Sequence, residues 1–551
     1  MPLDIRLMAF DYKKMNKKNL LLVLVVFISV LSGLLLGNML SVRHIGSGLS
    51  GAFSRSGAHS KIDELLSIIK TQYVDSVNTN LMTEEMMTDM VSKLDPHSVY
   101  IPASDLQKVN EELEGSFSGI GVQFNIQNDT VMVVAIVNGG PSEKVGLLAG
   151  DRIVQVDDSA FVGKTITNEK VLKKLRGPEK SKVKLGIRRN NTSEILHYTI
   201  TRGEIPVNSV DIAYMIEPQI GFIKVNKFAE KTYSEFLNAI AKLKNQGAKK
   251  FIIDLRENPG GLMDQAINMV NEFLPAGRMI VYAKGNAYPR FESKSDGKGS
   301  CINSPVIVLI DEFSASASEI FSGAIQDNDR GLIIGRRSFG KGLVQQQMGL
   351  SDGSAIRLTV ARYYTPSGRC IQKYYEKGKS EAYEMDILNR FKHGEFDSRD
   401  SIHMDDSLKY KTVGGRTVYG GGGIMPDIFV PRDTSDYTPY LNKIINYGYL
   451  YQYAFQYADK NRSTLKKMKN WMQMDTYLDQ QDLLTKFVAF ATSKSVVANW
   501  KEINTSKKFI LEQLKAYISR NTLGDADFYP LLYKDDMTVK KALQEMNKKK
   551  K

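Results

Sequence analysis

Residues 305–345 read PVIVLIDEFSASASEIFSGAIQDNDRGLIIGRRSFGKGLVQ. Pro305–Ile310 is a short apolar run rich in β-branched residues, which predicts a buried strand. In SASASEIFSGAIQD, residues Ile320, Phe321, Ala324 and Ile325 share one helical face. A turn of small residues between a buried strand and a helix exposes one side chain and aims backbone N–H groups at it. A second apolar run, Leu332–Ile334, leads into a glycine-rich turn holding Lys341. Two chemistries compete for that lysine. GRRSFGKG comes close to the phosphate-binding pattern G-x-x-x-x-G-K-[ST], but Gly342 supplies no hydroxyl for magnesium, and LVQQQMGLSDG is too turn-rich for the helix that must follow. The other is a Ser/Lys hydrolase, in which a desolvated neutral lysine activates a serine that is a weak nucleophile alone.

SASASEI, followed by GKGLVQ, resembles the C-terminal-processing (tail-specific) serine peptidases. The resemblance covers roughly residues 60–432 and includes LDPHS (94–98), DLRENPGG (254–261), TPSGR (365–369) and GGGGIMPDIFVP (420–431). It implies Ser316 as nucleophile, Lys341 as general base and Gln345 as the residue orienting the lysine. It also implies an oxyanion hole built from the N–H of Gly260 or Gly261, with Ala317 as second donor. The family motif carries Asn where Glu257 stands.

Gly115 to Arg202 reads as a separate β-rich module whose GIGVQF, VMVVAIVNGGPSEKVGLLAGDRIVQVDD and VKLGIRR resemble a PDZ domain. Glycines free successive N–H groups to converge on a terminal carboxylate, so Gly119, Ile120, Gly121 and Val122 are the expected tail-binding loop. A substrate tail would add as a strand beside Val122–Phe124. Val171, Leu172 and Leu175 on a following helix would line the pocket for its last side chain.

The chain has 551 residues, 42% of them apolar, enough for several cores. Its net charge of +13 comes from scattered lysines with no basic stripe interleaved with aromatics, which argues against nucleic acid. Six scattered histidines show no metal-ligand spacing, so neither a metal nor any other cofactor is expected. His97, in the LDPHS turn, reads as structural. The pairing of Cys301 and Cys370 cannot be read from sequence.

Leu20–Leu40 is apolar enough to cross a bilayer, is longer than a signal-peptide core and is preceded by Lys13, Lys14, Lys17 and Lys18. The positive-inside rule then puts residues 45–551 outside the cytoplasm. The predicted organisation is a basic cytoplasmic N-terminus (1–18), a single-pass inner-membrane anchor (19–40), a linker (41–59), a helical segment (60–114), a PDZ domain (115–203), a peptidase core (204–432) and a helical C-terminal extension (433–551). The fold class is multidomain α/β, with strands expected at 220–228, 251–255, 279–283, 305–310 and 332–334 in a layered core. The resemblance implies that this core is crotonase-like. Residues 374–410 read as a polar insertion of unknown role.

The function expected is that of a membrane-anchored endopeptidase of the bacterial envelope, its catalytic part periplasmic, acting on proteins with free apolar C-terminal tails. Homo-oligomerisation is left open. Two other readings are a PDZ scaffold of the envelope with a silent hydrolase core, and an acyl-CoA hydratase-like enzyme suggested by the core fold alone.

Overall fold

The computed structural model describes residues 57–548 except 128, 138 and 190–193. The anchor expected at 19–40 lies outside the described residues; among the described residues no helix is long and apolar enough to cross a membrane. The chain divides into two bodies at Met87/Thr88. In the first, the helix Gly57–Gln72 keeps Leu66 and Ile69 half-buried and exposes Ile62 and Leu65.

The second body opens with β1 (Val99–Ile101) and the helix Ala103–Glu114. The PDZ module follows as β2 (Ser116–Gly119), β3 (Val122–Gln127), β4 (Thr130–Ile136), β5 (Arg152–Val156), β6 (Ser159–Ala160), β7 (Lys182–Arg188), β8 (Leu196–Thr201) and β9 (Gly203–Pro206). Strands β2 and β9 pair and bring the two ends of the module together. The larger sheet has the order β3-β4-β5-β7-β8, so β3 is an edge strand.

The core is a six-stranded sheet of β10 (Val210–Glu217), β11 (Ile220–Val225), β12 (Lys250–Asp254), β15 (Val306–Ile310), β16 (Leu332–Gly335) and β21 (Ile428–Phe429), in that order. Its neighbours run parallel from β11 to β21, and β10 is antiparallel to β11. Side chains alternate across such a sheet. Ile223, Ile253, Val308 and Ile333 face the helices Thr232–Asn245, Met263–Asn271 and Ala317–Asp327. Phe222, Ile252, Leu309 and Ile334 face Val539, Ala542 and Met546 of the helix Met537–Asn547. The extension therefore packs on the core, closing the face that the crossover helices leave open, and it also holds a separate helical core of its own around Tyr453, Phe487 and Leu514.

One strand departs from the expected arrangement. β13 (Met279–Lys284) leaves the layered sheet and joins β1, β14 (Phe291–Lys294), β17 (Leu343–Gly349) and β18 (Ala355–Tyr364) in an antiparallel sheet. A short apolar run reads alike in either sheet, and only the distant partner strand decides. Lys341 opens into β17 rather than a helix, so the phosphate-loop context is absent.

Residues 374–410 are not a detached insertion. Tyr383 is buried, with its ring edge-on to His97 at 5.1 Å and to Phe339 at 5.9 Å. Buried Arg390 donates to the carbonyls of Ser338 and Arg337 at 3.0 and 2.7 Å, holding the turn before Lys341. β19 (Lys409–Lys411) and β20 (Thr417–Tyr419) then form a hairpin. Cys301 and Cys370 are both free.

Candidate active site

The turn from β15 into the helix Ala317–Asp327 places Ser316 at φ +54, ψ −113, a conformation non-glycine residues rarely adopt. Such a sharp strand-to-helix turn lifts the serine clear of the sheet. The strain is held by hydrogen bonds to buried groups. The carboxylate of Glu319, fully buried, accepts from the Ser316 N–H at 2.8 Å and the Lys341 N–H at 2.8 Å through Oε2. Its Oε1 accepts from Ser338 Oγ and from the Gly340 N–H at 2.7 Å. One side chain thus clamps the serine turn to the lysine turn. Burial pushes the Glu319 carboxyl up, and these four donors pull against that shift. The Tyr363 hydroxyl adds a second tie, shared between the carbonyls of Ser316 (3.0 Å) and Lys341 (2.6 Å).

Lys341 Nζ donates to Gln345 Oε1 at 2.8 Å, and Gln345 Nε2 donates to the carbonyl of His97. Burial lowers the Lys341 pKa from 10.5 to about 8; the charge of Arg357 adds to the lowering, while Glu319 and Asp95 oppose it. Ser316, Lys341, Gln345, Gly260 and Gly261 line one cavity of about 490 Å³. Among the described residues no hydrogen bond joins Ser316 to Lys341 Nζ; such contacts are often long without substrate.

The turn 254–261 lies directly against Ser316. A Cβ on Gly260 would come within 2.7 Å of Ser316 Cβ and 2.9 Å of the Ala317 nitrogen. The Gly260 N–H donates to Asn258 Oδ1 at 2.9 Å, so it is already engaged. Among the described residues neither the Gly261 nor the Ala317 N–H finds an acceptor. Buried Asn258 ties the two turns together, its carbonyl accepting from the Ala315 N–H and Ser318 Oγ, both at 3.0 Å. Glu257 sits at φ +61, where Asn is more at ease than Glu, which gives a physical reason for the family's Asn.

His97 contributes its carbonyl, not its ring. Burial, with the charges of Lys341 and Lys373, lowers the ring's pKa to about 4 against the pull of Asp95, and Nε2 lies 2.9 Å from the Tyr383 hydroxyl. Asp95 organises the LDPHS turn by accepting from the N–H groups of His97 and Ser98, both at 2.9 Å.

In the PDZ module Ile120 is buried and its carbonyl accepts from the Ser142 N–H at 2.9 Å; that of Gly121, at φ +76, accepts from the Val137 N–H at 3.0 Å. Gly119 pairs with Gly203, and Val122 begins the edge strand β3. On the helix Asn168–Leu175, Val171 and Leu175 are buried in the module's core, and Leu172 is exposed.

Sequence reasoning missed Glu319, Asn258, Tyr363 and Tyr383. S-x-x-E at 316–319 is a capping-box pattern that could have singled out Glu319. No local signal marks the others. Among the described residues no cluster of side chains could hold a metal ion.

Comparison with known proteins agrees with this architecture. Residues 219–379 match peptidase family S41, 118–199 match the PDZ domain, and 440–524 match a family of unknown function. The chain is 38% identical over 322 residues to a carboxy-terminal-processing protease of Bartonella bacilliformis, covering 57% of this chain and 72% of that one. It is 33% identical over 352 residues to a probable CtpA-like serine protease of Staphylococcus aureus, covering 63% and 70%. A solved structure, the photosystem II D1 C-terminal processing protease, is 26% identical with a TM-score of 0.35, covering 67% of this chain and 86% of that one. The chain belongs to the carboxy-terminal-processing serine proteases of peptidase family S41. It is a serine-type endopeptidase that carries a PDZ domain.

Proposed function

We propose that the chain cleaves envelope proteins near their C-termini by a Ser/Lys mechanism, with the PDZ domain capturing the substrate's free tail. The observation that carries the mechanism is the Lys341–Gln345 pair, half-buried in the same cavity as Ser316. Neutral Lys341 takes the Ser316 proton as the serine attacks the scissile carbonyl and returns it to the leaving amine. The N–H groups of Gly261 and Ala317 receive the oxyanion, since that of Gly260 is held by Asn258. A desolvated base and two free donors around one serine speak against a silent scaffold. An active-site serine acylator tests this: it should label Ser316 in the wild type and leave Ser316→Ala unlabelled, and labelling elsewhere would refute it.

Among the described residues β3 ends its sheet, and that unpaired edge supports strand addition by the tail, with Gly119–Val122 at its carboxylate and exposed Leu172 beside its last side chain. Amidating the substrate's C-terminus removes a charge-assisted contact worth about 1.5–3 kcal/mol, so kcat/KM should fall about tenfold or more. Equal cleavage of acid and amide would refute carboxylate reading. The anchor read at 19–40 adds that residues 45–551 face the periplasm. The catalytic core should then be digested by protease added to cells with a permeabilised outer barrier, and a protected core would refute that placement.

A further inference from the structure

The catalytic cavity holds a cation that the chemistry above does not use. Lys227 follows β11 and precedes Phe228, whose N–H donates to the Gly260 carbonyl at 2.9 Å and whose carbonyl accepts from the Leu262 N–H at 2.7 Å. That register fixes Lys227 beside the oxyanion turn. Its side chain is half-buried and lines the same cavity as Ser316, yet among the described residues its ammonium makes no hydrogen bond or ion pair. Three acids face it. Glu235 is engaged by the N–H groups of Ser209 and Val210 at 2.7 and 2.9 Å, and Asp211 accepts from the Tyr529 hydroxyl. Glu112 is exposed at the cavity's rim. A second cation, Arg357 on β18, lines the cavity too, its guanidinium donating to Gln347 at 2.9 Å. Of these acids only Glu112 lines the cavity, so its wall carries Lys227 and Arg357 against one carboxylate, while the charges of Glu235 and Asp211 lie outside the lining. Both cations have lowered pKa values, with burial the largest cause, as expected of charges taken from water without a full partner.

We propose that Lys227, backed by Arg357, forms a cationic subsite in the catalytic cleft that selects an acidic side chain of the substrate close to the scissile bond. This rests on the reading that Ser316 is the nucleophile and that the chain terminus is held at the PDZ loop, so the carboxylate in the cleft comes from an Asp or Glu side chain. The subsite sets which tails are cut; the PDZ domain sets which are held.

The test is a peptide series sharing one free apolar tail and differing at a single position within three residues of the cut, as Glu, Gln or Lys. In wild type, kcat/KM for Glu at one position should exceed that for Gln by about tenfold or more. In Lys227→Gln the two should agree within about twofold, and in Lys227→Glu the order should reverse, with Lys preferred. Reversal reports on charge recognition, which a merely structural lysine would not show. Equal cleavage of Glu and Gln at every position by wild type overturns the proposal even if the variants fail to fold. An acidic preference that survives in Lys227→Gln overturns the assignment to Lys227. Failure of the underlying mechanism looks different: then Ser316→Ala would still cut the neutral peptides.

Discussion

Lys341→Arg is expected to lower kcat/KM by about 10²–10⁴-fold, the range that a positioned general base contributes, while the tail still binds the PDZ domain. Guanidinium keeps its proton at any accessible pH and cannot accept one from Ser316. On the proposed mechanism only the neutral fraction of Lys341 is active in the wild type. With its pKa at about 8, kcat/KM should rise about tenfold per pH unit below that value and level off above it. The same shift bears on stability. The unfolded lysine titrates near 10.5 and the folded one near 8, so between these values the unfolded chain binds more protons and stability rises with pH. Below about pH 8 the folded state carries the full cost, about 3 kcal/mol. Lys341→Met removes that cost and loses one hydrogen bond to Gln345, worth about 1 kcal/mol. It should therefore be inactive and melt higher than the wild type at pH 7. An Arg variant with wild-type turnover that still needs Ser316 would assign the base elsewhere.

Glu319→Gln is the second large effect expected. Each carboxylate oxygen serves two donors, Oε1 taking Ser338 and Gly340 and Oε2 taking Ser316 and Lys341. A carboxamide keeps one of those oxygens and turns an NH₂ group towards the other pair of donors. Leaving two buried donors unpaired costs about 2–6 kcal/mol at 1–3 kcal/mol each, a large part of a domain's 5–15 kcal/mol. Because Ser316 and Lys341 are clamped by the same side chain, the damage falls on their relative position, where a displacement of about 1 Å can cost about 100-fold in rate. Parallel measurement of kcat and melting temperature checks this; a variant unchanged in both would show that the clamp is dispensable.

The sequence made the strand–turn–helix around Ser316, the β12 turn and the PDZ module legible because each is written in local pattern: β-branched runs, small-residue turns, helical spacing. The Lys341–Gln345 pair followed from the family's spacing. What stayed hidden depends on contacts between distant segments. Nothing near β13 says that its partner will be β18. Nothing in the polar stretch 374–410 says that Tyr383 will pack on His97. The proposed preference for Gly261 over Gly260 rests on where Asn258 points its carboxamide, a side-chain orientation that no periodicity encodes.

The link from Gln345 to the carbonyl of His97 spans 248 positions of the chain. Loops of that size close late in folding, after local helices and hairpins have formed. On the proposed Ser/Lys mechanism, a half-folded copy would have its serine but no seated lysine and would be inactive. During refolding, peptide-cleaving activity should recover after the far-ultraviolet circular dichroism signal, and simultaneous recovery would refute this order of events. The distance along the chain between the parts of the site would then keep the peptidase latent until its long-range contacts close.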